Sequence, residues 1–264
     1  MVKVLETSNL CYQDFKNIRL LLESSKLYLI VGANNSGKTT LFKLLSGIIL
    51  TNNHISCNGV VLNKDTSFNY IKNLGVVPKV SKKSFIYQNV FDEMMYPLYN
   101  LKYSKRKAII RIKEILKIFN KENIINKKIN DLNYCDKQLL LLMISLLHRP
   151  KLVLIEDVLT IFSKKEKKMI INILLKLIKQ DNITIVIFAS NLEMAKYCDK
   201  LLLLKDKEII GEYSYSDLYN NDKLFYDNKL EIPFIVDLSI KLKMYELVDK
   251  DYTTIKGMVD DLWQ

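Results

Sequence analysis

The sequence predicts an α/β fold built around a mainly parallel β-sheet, and two observations lead to this prediction. Short, continuously apolar runs alternate along the chain with segments whose apolar residues recur every three or four positions. The first pattern is typical of buried strands and the second of amphipathic helices, so their alternation indicates β-α-β units. The chain has 264 residues, of which 49% are hydrophobic, and this suits one large domain or a domain with a small appendage.

The predicted elements follow in chain order. Two strands, 2–10 and 18–22, come first with a turn between them, and a third at Leu27–Val31 ends at a glycine. The remaining predicted strands are 60–62, 75–77, 152–155 and 184–188. The predicted helices are 39–50, 105–119, 132–147 and 165–179, and 230–243 is predicted as a separate helical tail.

Composition limits where the chain resides and what it binds. No apolar run approaches the roughly 20 residues that span a bilayer and no signal peptide is apparent, so we expect a cytosolic chain. The four cysteines lie far apart without C-x-x-C spacing, which favours reduced thiols over a zinc site. The formal net charge is +11, but the lysines are scattered and no basic block with interleaved aromatic residues occurs, so we expect no nucleic-acid partner.

A complete phosphate-binding motif follows the third predicted strand. Residues 32–39 fit the pattern G-x-x-x-x-G-K-[ST]. Gly32 and Gly37 let the backbone curl so that several N–H groups point at phosphate oxygens, and the following helix presents its positive end to the same anion. We expect Lys38 to reach the β- and γ-phosphates and the Thr39 hydroxyl to ligate Mg²⁺. The expected nucleotide contacts in this segment are Gly32, Ala33, Asn34, Asn35, Ser36, Gly37, Lys38, Thr39 and Thr40.

The motif alone does not distinguish kinases, GTPases and ATPases. An N-K-x-D element that recognises guanine is absent, because the nearest string, Asn63-Lys64-Asp65, has the wrong spacing. We therefore expect ATP with Mg²⁺ rather than GTP.

Three later segments resemble motifs of one ATPase family. Residues 132–138 read Leu-Asn-Tyr-Cys-Asp-Lys-Gln, at the position of an L-S-G-G-Q-x-Q signature, and a predicted helix follows. The strand Leu152–Ile155 ends in Glu156 and Asp157 and resembles a Walker B strand, while residues 185–195 resemble the strand and switch segment beyond it. In the order and spacing of these motifs, the chain resembles the ABC ATPases over almost its whole length.

Two further segments narrow the resemblance to the energy-coupling factor ATPases of vitamin and metal-ion uptake. Residues 84–93 resemble the segment after the Q-loop of those proteins, and residues 230–239 resemble a motif near their carboxyl end. The resemblance implies an ABC nucleotide-binding domain over 1–212, with an antiparallel β-subdomain near the amino terminus and a helical subdomain around 90–150. A small carboxy-terminal dimerisation segment is expected over 213–264.

The resemblance also implies a function. The chain is expected to be the ATP-binding subunit of an importer that couples ATP binding and hydrolysis to uptake of a micronutrient. Its expected partners are a second ABC ATPase subunit, a transmembrane scaffold and a substrate-binding subunit, at the inner face of the cell membrane. Asp92 and Glu93 stand where the family has acidic residues that pair with an arginine-bearing coupling helix, although both could instead be solvated carboxylates at a helix start. A soluble ABC ATPase acting on nucleic acid is a further alternative. It would require a coiled-coil insertion or a second cassette, and this length leaves no room for either.

The adenine contact is expected from an aromatic residue that precedes the phosphate loop. The family stacks the base there, and Tyr12 is the first candidate and Phe15 the second. Either ring could instead belong to the core.

At most catalytic positions outside the phosphate loop, the sequence departs from the family. Glu156 replaces the Asp that assists Mg²⁺, and Asp157 replaces the Glu that activates water, so the carboxylate of Asp157 is one methylene short. A displacement of about 1 Å can cost on the order of a hundredfold in rate. Ser190 stands at the position of the switch histidine. Asp157 and Ser190 are thus the expected catalytic residues in altered form, and Thr39 and Glu156 are the expected metal ligands.

Other departures concern the Q-loop, the D-loop and the signature. Lys79 occupies the Q-loop glutamine position and Ser163 the D-loop aspartate position. Tyr134 and Cys135 replace both signature glycines, and their Cβ atoms are expected to obstruct the approach of backbone N–H groups to the γ-phosphate of a partner subunit. A regulatory or structural subunit that binds ATP without hydrolysing it is therefore the alternative function.

Overall fold

The computed structural model describes residues 2–262, so Met1, Trp263 and Gln264 lie outside the described part. The chain divides into two compact units. The first comprises Met1–Leu27 with Thr39–Phe188, and the second comprises Tyr28–Lys38 with Ala189–Gln264. Within residues 2–262, no helix is both long enough and apolar enough to span a bilayer.

Strands and helices alternate along the chain, as the sequence predicts. The strands are β1 (Lys3–Tyr12), β2 (Phe15–Glu23), β3 (Leu27–Val31), β4 (His54–Cys57), β5 (Val60–Val61), β6 (Leu74–Val77), β7 (Leu152–Ile155), β8 (Thr184–Ala189), β9 (Lys200–Lys205) and β10 (Glu208–Tyr213). The helices are α1 (Lys38–Leu45), α2 (Ser67–Ile71), α3 (Val90–Asn100), α4 (Lys105–Ile118), α5 (Tyr134–Leu146), α6 (Lys164–Asp181), α7 (Asp217–Asn220), α8 (Asp222–Asp227), α9 (Phe234–Met244) and α10 (Ile255–Leu262).

The first unit contains an antiparallel sheet with the strand order β2-β1-β4-β5. Leu5 of β1 lies opposite Leu22 of β2 on one side and Cys57 of β4 on the other. Along β2 buried residues largely alternate with exposed ones, because one face of this sheet covers the core. The predicted antiparallel β-subdomain is confirmed, although β4 was not predicted, since the four residues His-Ile-Ser-Cys are too short a segment for their alternation to indicate a strand.

Parallel strands form the second layer of this unit. β7 pairs in parallel with β6 and β8, and Val153 lies between Gly75 and Ile185. Every residue of β7 and β8 is buried, which accounts for their uninterrupted apolar sequences. A Cβ atom on Gly75 would lie 2.6 Å from the carbonyl oxygen of Ser145 on α5, so glycine permits the close approach of strand and helix.

The helix after the phosphate loop is shorter than predicted. α1 ends at Leu45, whereas the sequence predicts a helix over 39–50. Gly47 has a φ of 74°, the left-handed conformation that commonly terminates helices. The Ser46 hydroxyl also donates to the carbonyl oxygen of Lys43 at 3.2 Å, which satisfies a terminal acceptor.

The predicted helical subdomain is formed by α3, α4 and α5. Arg111 of α4 is buried, and its guanidinium group joins α4 to the end of α5. Nε donates to the carbonyl oxygen of Leu147 at 2.9 Å and Nη2 to that of Leu146 at 3.0 Å. These carbonyl groups lie at a helix end, where they lack partners within the helix, so a buried cation there stabilises the pair of helices.

The second unit contains three paired strands and the carboxy-terminal helices. β3 pairs in parallel with β9, and β9 pairs antiparallel with β10. Neither β9 nor β10 was predicted. Exposed and half-buried residues alternate along β10 and weaken its apolar pattern. The four leucines 201–204 of β9 form a continuous buried run, and sequence reasoning missed this signal. α9 begins at Phe234, after Pro233, rather than at residue 230, because the residue before a proline is disfavoured in a helix. A small core of Val248, Tyr252 and Met258 packs beside α9.

Candidate nucleotide-binding site

The phosphate loop joins β3 to α1 with a backbone shaped by two left-handed residues. Asn35 has a φ of 66° and Gly37 a φ of 107°. Glycine and asparagine are the residues that adopt this region most readily, so the sequence of the loop suits its conformation. The N–H of Ser36 donates to the carbonyl oxygen of Ala33 at 3.2 Å, which closes a tight turn within the loop.

Gly32 is required by the packing of the loop. A Cβ atom at this position would lie 2.2 Å from the carbonyl oxygen of Leu204 and 2.6 Å from Ser36 Oγ. The first contact is with backbone on β9, so a side chain at residue 32 would force the loop away from the strand that supports it. Steric exclusion, rather than a positive φ, is therefore the reason for glycine here.

The side chain of Lys38 is buried and folds over the loop. Its Nζ donates to the carbonyl oxygen of Gly32 at 2.6 Å and to that of Ala33 at 2.8 Å. The hydroxyl of Ser36 is also buried and has no hydrogen-bond partner among the described residues. A buried cation and an unsatisfied hydroxyl on one glycine-containing loop fit an anion such as the phosphates of a nucleotide.

A cavity of about 340 Å³ lies beside the loop within the second unit. Residues 33–36, 204–206 and 227–229 line it. Asn34 and Asn35 are exposed, whereas Thr39 and Thr40 follow on α1, the former exposed and the latter half-buried.

Two carboxylates follow β7 in the first unit, as the sequence predicts. The N–H of Glu156 donates to the carbonyl oxygen of Val77 at 2.9 Å, which extends the pairing of β7 with β6. Oε2 of Glu156 accepts the backbone N–H of Lys79 at 3.2 Å, so the longer side chain reaches the segment after β6. Asp157 is half-buried, and Lys79 is exposed.

Gln138 joins α5 to the same segment, and sequence reasoning missed this role. Its Oε1 accepts the N–H of Val80 at 2.9 Å, and its Nε2 donates to the carbonyl oxygen of Pro78 at 2.9 Å. The side chain is 1% exposed, so both bonds lie away from water. Only a side-chain amide offers a donor and an acceptor in this geometry, and the final Gln of the 132–138 motif was the available signal.

Comparison with known families identifies the fold and the family. The sequence profile of the ABC transporter family matches residues 15–159, more than half of the chain. The chain belongs to the ABC transporter family. The predicted resemblance to the ABC ATPases is thereby confirmed, and the matched residues include the segments predicted as Q-loop, Walker B strand and signature, around Lys79, Glu156 and Gln138.

Curated relatives of this ABC protein align over nearly the whole chain. The energy-coupling factor transporter ATP-binding protein EcfA1 of Oenococcus oeni is 23% identical over 272 residues, which cover 100% of this chain and 98% of that protein. EcfA1 of Mesomycoplasma hyopneumoniae (strain 7448) is 25% identical over 259 residues, covering 98% and 94%.

Solved structures confirm the ABC cassette fold. cbiO1 of Clostridium perfringens, part of the ABC transporter complex cbiONQ, superposes with a TM-score of 0.75 at 19% identity, covering 89% of this chain and 98% of that chain. A dimeric ATP-binding cassette in a post-hydrolysis state, bound to ADP and Pi, gives a TM-score of 0.69 at 22% identity, covering 81% and 98%.

The altered signature of this ABC protein forms an ordinary helix start. Asn133 is the N-cap of α5, and its Oδ1 accepts the N–H of Asp136 at 2.8 Å. Tyr134, the first helical residue, is 51% exposed. Cys135 Sγ lies 3.6 Å from the carbonyl oxygen of Ile161 in the turn beyond the Walker B strand. The two residues that replace glycines therefore have different surroundings, one solvent and one protein.

Ser163, at the D-loop position, is the N-cap of α6 in a complete capping box. Its Oγ accepts the N–H of Glu166 at 3.3 Å, and its own N–H donates to Oε2 of Glu166 at 3.0 Å. Hydrogen bonds from the side chain and backbone of Ser163 lower the pKa of the Glu166 carboxyl. The serine therefore stabilises the helix start.

The remaining predicted site residues differ in accessibility. Tyr12 is half-buried at the end of β1, so its ring has a free part for stacking. Phe15 is 2% exposed and lies in the core, which removes it as a base-stacking candidate. Ser190 is half-buried just beyond β8 in the second unit.

The two acidic residues at the start of α3 do not both face solvent, which corrects one expectation. Glu93 is buried, and its Oε2 accepts the N–H groups of Ile86 and Tyr87 at 2.9 and 2.7 Å. Asp92 is exposed and accepts from Asn89 Nδ2 at 3.1 Å. Glu93 therefore organises the preceding loop and is not a solvated carboxylate at a helix start.

Proposed function

We propose that this chain is the ATP-binding subunit of an energy-coupling factor importer, which couples ATP binding and hydrolysis to uptake of a micronutrient. The observation that carries the proposal is the phosphate loop, where Lys38 is buried over the loop carbonyls beside the unsatisfied hydroxyl of Ser36. Relatives named as energy-coupling factor transporter ATP-binding proteins, aligned over 100% and 98% of the chain, support the transporter type.

In this proposal the phosphates bind to residues 32–40 and adenine stacks on Tyr12. When ATP binds, the ammonium group of Lys38 leaves the loop carbonyl groups and donates hydrogen bonds to phosphate oxygens instead. These bonds are stronger because the phosphate oxygens are charged. The Thr39 hydroxyl and the Glu156 carboxylate would hold Mg²⁺, since oxygen ligands are those that Mg²⁺ prefers, and the ion would neutralise charge on the phosphates.

The proposed assembly is a pair of ABC ATPase subunits on the cytosolic face of the membrane. Residues 1–212 would form the ATP-binding domain, and residues 213–264 would contribute to the contact between the two subunits. A transmembrane scaffold would dock on the pair, and a substrate-binding subunit would determine the micronutrient. The names of two curated relatives, both energy-coupling factor transporter ATP-binding proteins, support a role in a transporter.

Reconstitution tests the transporter role. We expect the chain to co-purify with a co-expressed scaffold and second ATPase subunit, and the assembly to take up substrate into proteoliposomes only when ATP is supplied. Lys38→Ala in this chain should reduce uptake, while Lys43→Ala, which removes an exposed lysine of the same helix, should not. A chain that never associates with a scaffold would contradict the proposal.

A second candidate is a subunit that binds ATP but no longer hydrolyses it. It is favoured by the surroundings of Cys135 and Ser163, which contact the Ile161 carbonyl and cap α6. Asp157→Glu alone should then recover little hydrolysis in a single-turnover assay. Combined with Glu156→Asp and Ser190→His, it should recover more than the sum of the separate changes, because residues that act as a unit are not additive.

A further inference from the structure

The cavity of about 340 Å³ beside the phosphate loop is built from three segments of the second unit. They are the tip of the loop at 33–36, the end of β9 with the following turn at 204–206, and the end of α8 with the next residues at 227–229. Lys38 and Thr39, which are expected to hold the γ-phosphate and Mg²⁺, do not line it. The cavity is therefore separate from that part of the nucleotide site.

Contacts between these segments hold the walls of the cavity in place. The N–H of Lys207, in the turn between β9 and β10, donates to the carbonyl oxygen of Ser36 at 3.0 Å. On the other side, the Phe225 ring of α8 lies 5.5 Å from the Tyr213 ring of β10 in an edge-to-face arrangement. Small-molecule sites are usually preformed cavities of about 300–1,000 Å³, and this cavity has that size and support.

Two side chains that line the cavity each bury an oxygen atom without a hydrogen-bond partner in the described part of the chain. The atoms are Ser36 Oγ and Asn228 Oδ1, on residues that are 6% and 7% exposed. Nδ2 of Asn228 donates to the carbonyl oxygen of Leu224 at 2.7 Å, which fixes the amide and leaves Oδ1 as a free acceptor. Because buried polar atoms are rarely left unsatisfied, Asn228 Oδ1 indicates a ligand that supplies a hydrogen-bond donor.

The rim of the cavity carries charges of both signs. Lys205 and Lys229 (the rim lysines) and Asp206 and Asp227 (the rim carboxylates) are exposed. None of the four has an ion-pair partner within residues 2–262. A simple anion in the cavity would meet two carboxylates, and a simple cation would meet two ammonium groups. A small ligand with one charge of each sign matches the rim better than either.

We propose that this cavity binds a free amino acid through its α-ammonium and α-carboxylate groups. The α-ammonium group donates to Asn228 Oδ1 and faces the rim carboxylates, while the α-carboxylate faces the rim lysines and accepts from Ser36 Oγ. A hydroxyl has one donor and two acceptor positions, so Ser36 remains able to contact a nucleotide as well. The only apolar lining residues are Ala33 and Leu204, which favours a small or polar ligand side chain.

This inference goes beyond the proposed function, because it adds a second ligand site to the nucleotide site. Isothermal titration calorimetry of the full chain with L-serine, L-asparagine and L-glutamine tests it. At least one of these probes should bind with a Kd below about 1 mM. For the tightest probe, the amine that lacks the carboxylate and the 2-hydroxy acid that lacks the ammonium group should each bind about tenfold more weakly. Binding of none of the three probes, or equal binding of either analogue, would overturn the inference.

Variants at the end of α8 locate the site. Asn228→Ala removes the acceptor of a charged donor and should weaken binding about tenfold. Asn221→Ala is the matched control, because Nδ2 of Asn221 likewise donates to the carbonyl oxygen of Asp217, at 3.2 Å, but Asn221 does not line the cavity. Unchanged affinity in Asn228→Ala, or an equal loss in both variants, would contradict the assignment.

A charge variant keeps the test usable if Asn228→Ala does not fold. Lys229→Gln should weaken binding about twofold to fivefold, because the lysine is exposed and its attraction for the carboxylate is screened by water. Lys223→Gln, which makes the same change at an exposed lysine of α8 outside the cavity, should leave the Kd unchanged. Equal effects of the two variants would remove Lys229 from the site and overturn the inference.

Further titrations separate this site from the nucleotide site. Lys38→Ala should weaken binding of a fluorescent ATP analogue and leave amino-acid binding intact. Full competition between the amino acid and the ATP analogue would place the ligand in the nucleotide site, and tighter binding of inorganic phosphate or Ca²⁺ would assign the cavity to an ion. Either result would overturn the inference. Retained ATP binding without amino-acid binding would refute this inference alone, whereas the reverse would refute the proposed function alone.

Discussion

The phosphate loop and the region around β7 differ in how closely they follow the ABC pattern. In the loop, Gly32, Gly37 and Lys38 occupy the positions that the motif requires, and the backbone and side chains fit an anion. Around β7, Glu156 and Asp157 exchange the expected carboxylates. In the proposed function, nucleotide binding and hydrolysis rest on different residue sets, and this chain retains the first set more completely.

The substituted region is nevertheless well ordered. Asn133 and Ser163 cap helices, and Gln138 joins the signature helix to the segment that carries Lys79. Residues at altered positions thus have structural partners of their own. The comparison suggests that changes here affect stability, whereas changes in the loop affect nucleotide affinity, and the following predictions test this division.

The largest expected effect on stability is that of Gln138→Ala. The change removes the partners of the Val80 N–H and the Pro78 carbonyl group in a half-buried segment and leaves a gap where the buried side chain was, so the free energy of unfolding should fall by about 2–4 kcal/mol. Denaturant unfolding measures this change. Gln88→Ala, at an exposed position, is the control. A Gln138→Ala variant as stable as the unmodified chain would show that the two hydrogen bonds do not matter.

The corresponding test in the phosphate loop is Lys38→Ala. Loss of the lysine side chain deletes a charged hydrogen-bond donor to the phosphates, which contributes roughly 1.5–3 kcal/mol to binding. The Kd for a fluorescent ATP analogue should therefore rise about tenfold to a hundredfold. Lys43→Ala, on the exposed face of α1, should leave the Kd unchanged. Unchanged binding in Lys38→Ala would remove the loop as the nucleotide site.

Variants of Glu93 test whether its carboxylate supports the fold or serves docking. Glu93→Ala leaves two N–H groups without an acceptor and should cost about 1–3 kcal/mol of unfolding free energy, whereas Glu93→Gln retains an acceptor oxygen and should cost less. Thermal unfolding of both variants gives the comparison. If the two variants were equally destabilised, the hydrogen bonds to Ile86 and Tyr87 would not be the reason for the acid.

The smallest effect is a pH dependence from His148. Burial lowers the pKa of His148 below the ordinary value of 6.5. The positive charge of Arg111 lowers this pKa further, whereas the hydrogen bond to the Leu74 carbonyl group raises it. Because the unfolded state binds the proton more readily, stability should fall as pH decreases below about 6.5. The side chain of His148→Gln cannot be protonated. Between pH 7.5 and pH 5.5, the melting temperature of this variant should therefore fall less than that of the unmodified chain. An equal fall would show that His148 is not the source of the pH dependence.

Much of the fold could be predicted from the sequence, because buried strands leave continuous apolar runs. β3, β7 and β8 are such strands, and the first of them leads into a motif whose spacing is fixed by its chemistry. β4 and β10 were missed, since short or half-exposed strands lack that pattern. β9 was missed although its four leucines form such a run.

The residues of the site could be predicted where a single short segment of the chain contains them. Residues 32–39 contain the phosphate loop in full, so their role could be inferred without a structure. The roles of Gln138 and Glu93 depend on backbone groups elsewhere in the chain, and Gln138 bonds to residues 58 and 60 positions away. Residue type alone therefore suggested a surface carboxylate for Glu93, where the fold requires a buried acceptor.

The most direct test of the contrast between the retained phosphate loop and the substituted catalytic positions compares ATP binding and hydrolysis by the chain alone, in one preparation. Binding of Mg-ATP and its single-turnover hydrolysis are measured on the unmodified chain and on Lys38→Ala. We predict saturable binding that Lys38→Ala weakens, with hydrolysis well below about 1 s⁻¹. Hydrolysis at the roughly 1–10³ s⁻¹ typical of enzymes, abolished by Lys38→Ala, would contradict the account.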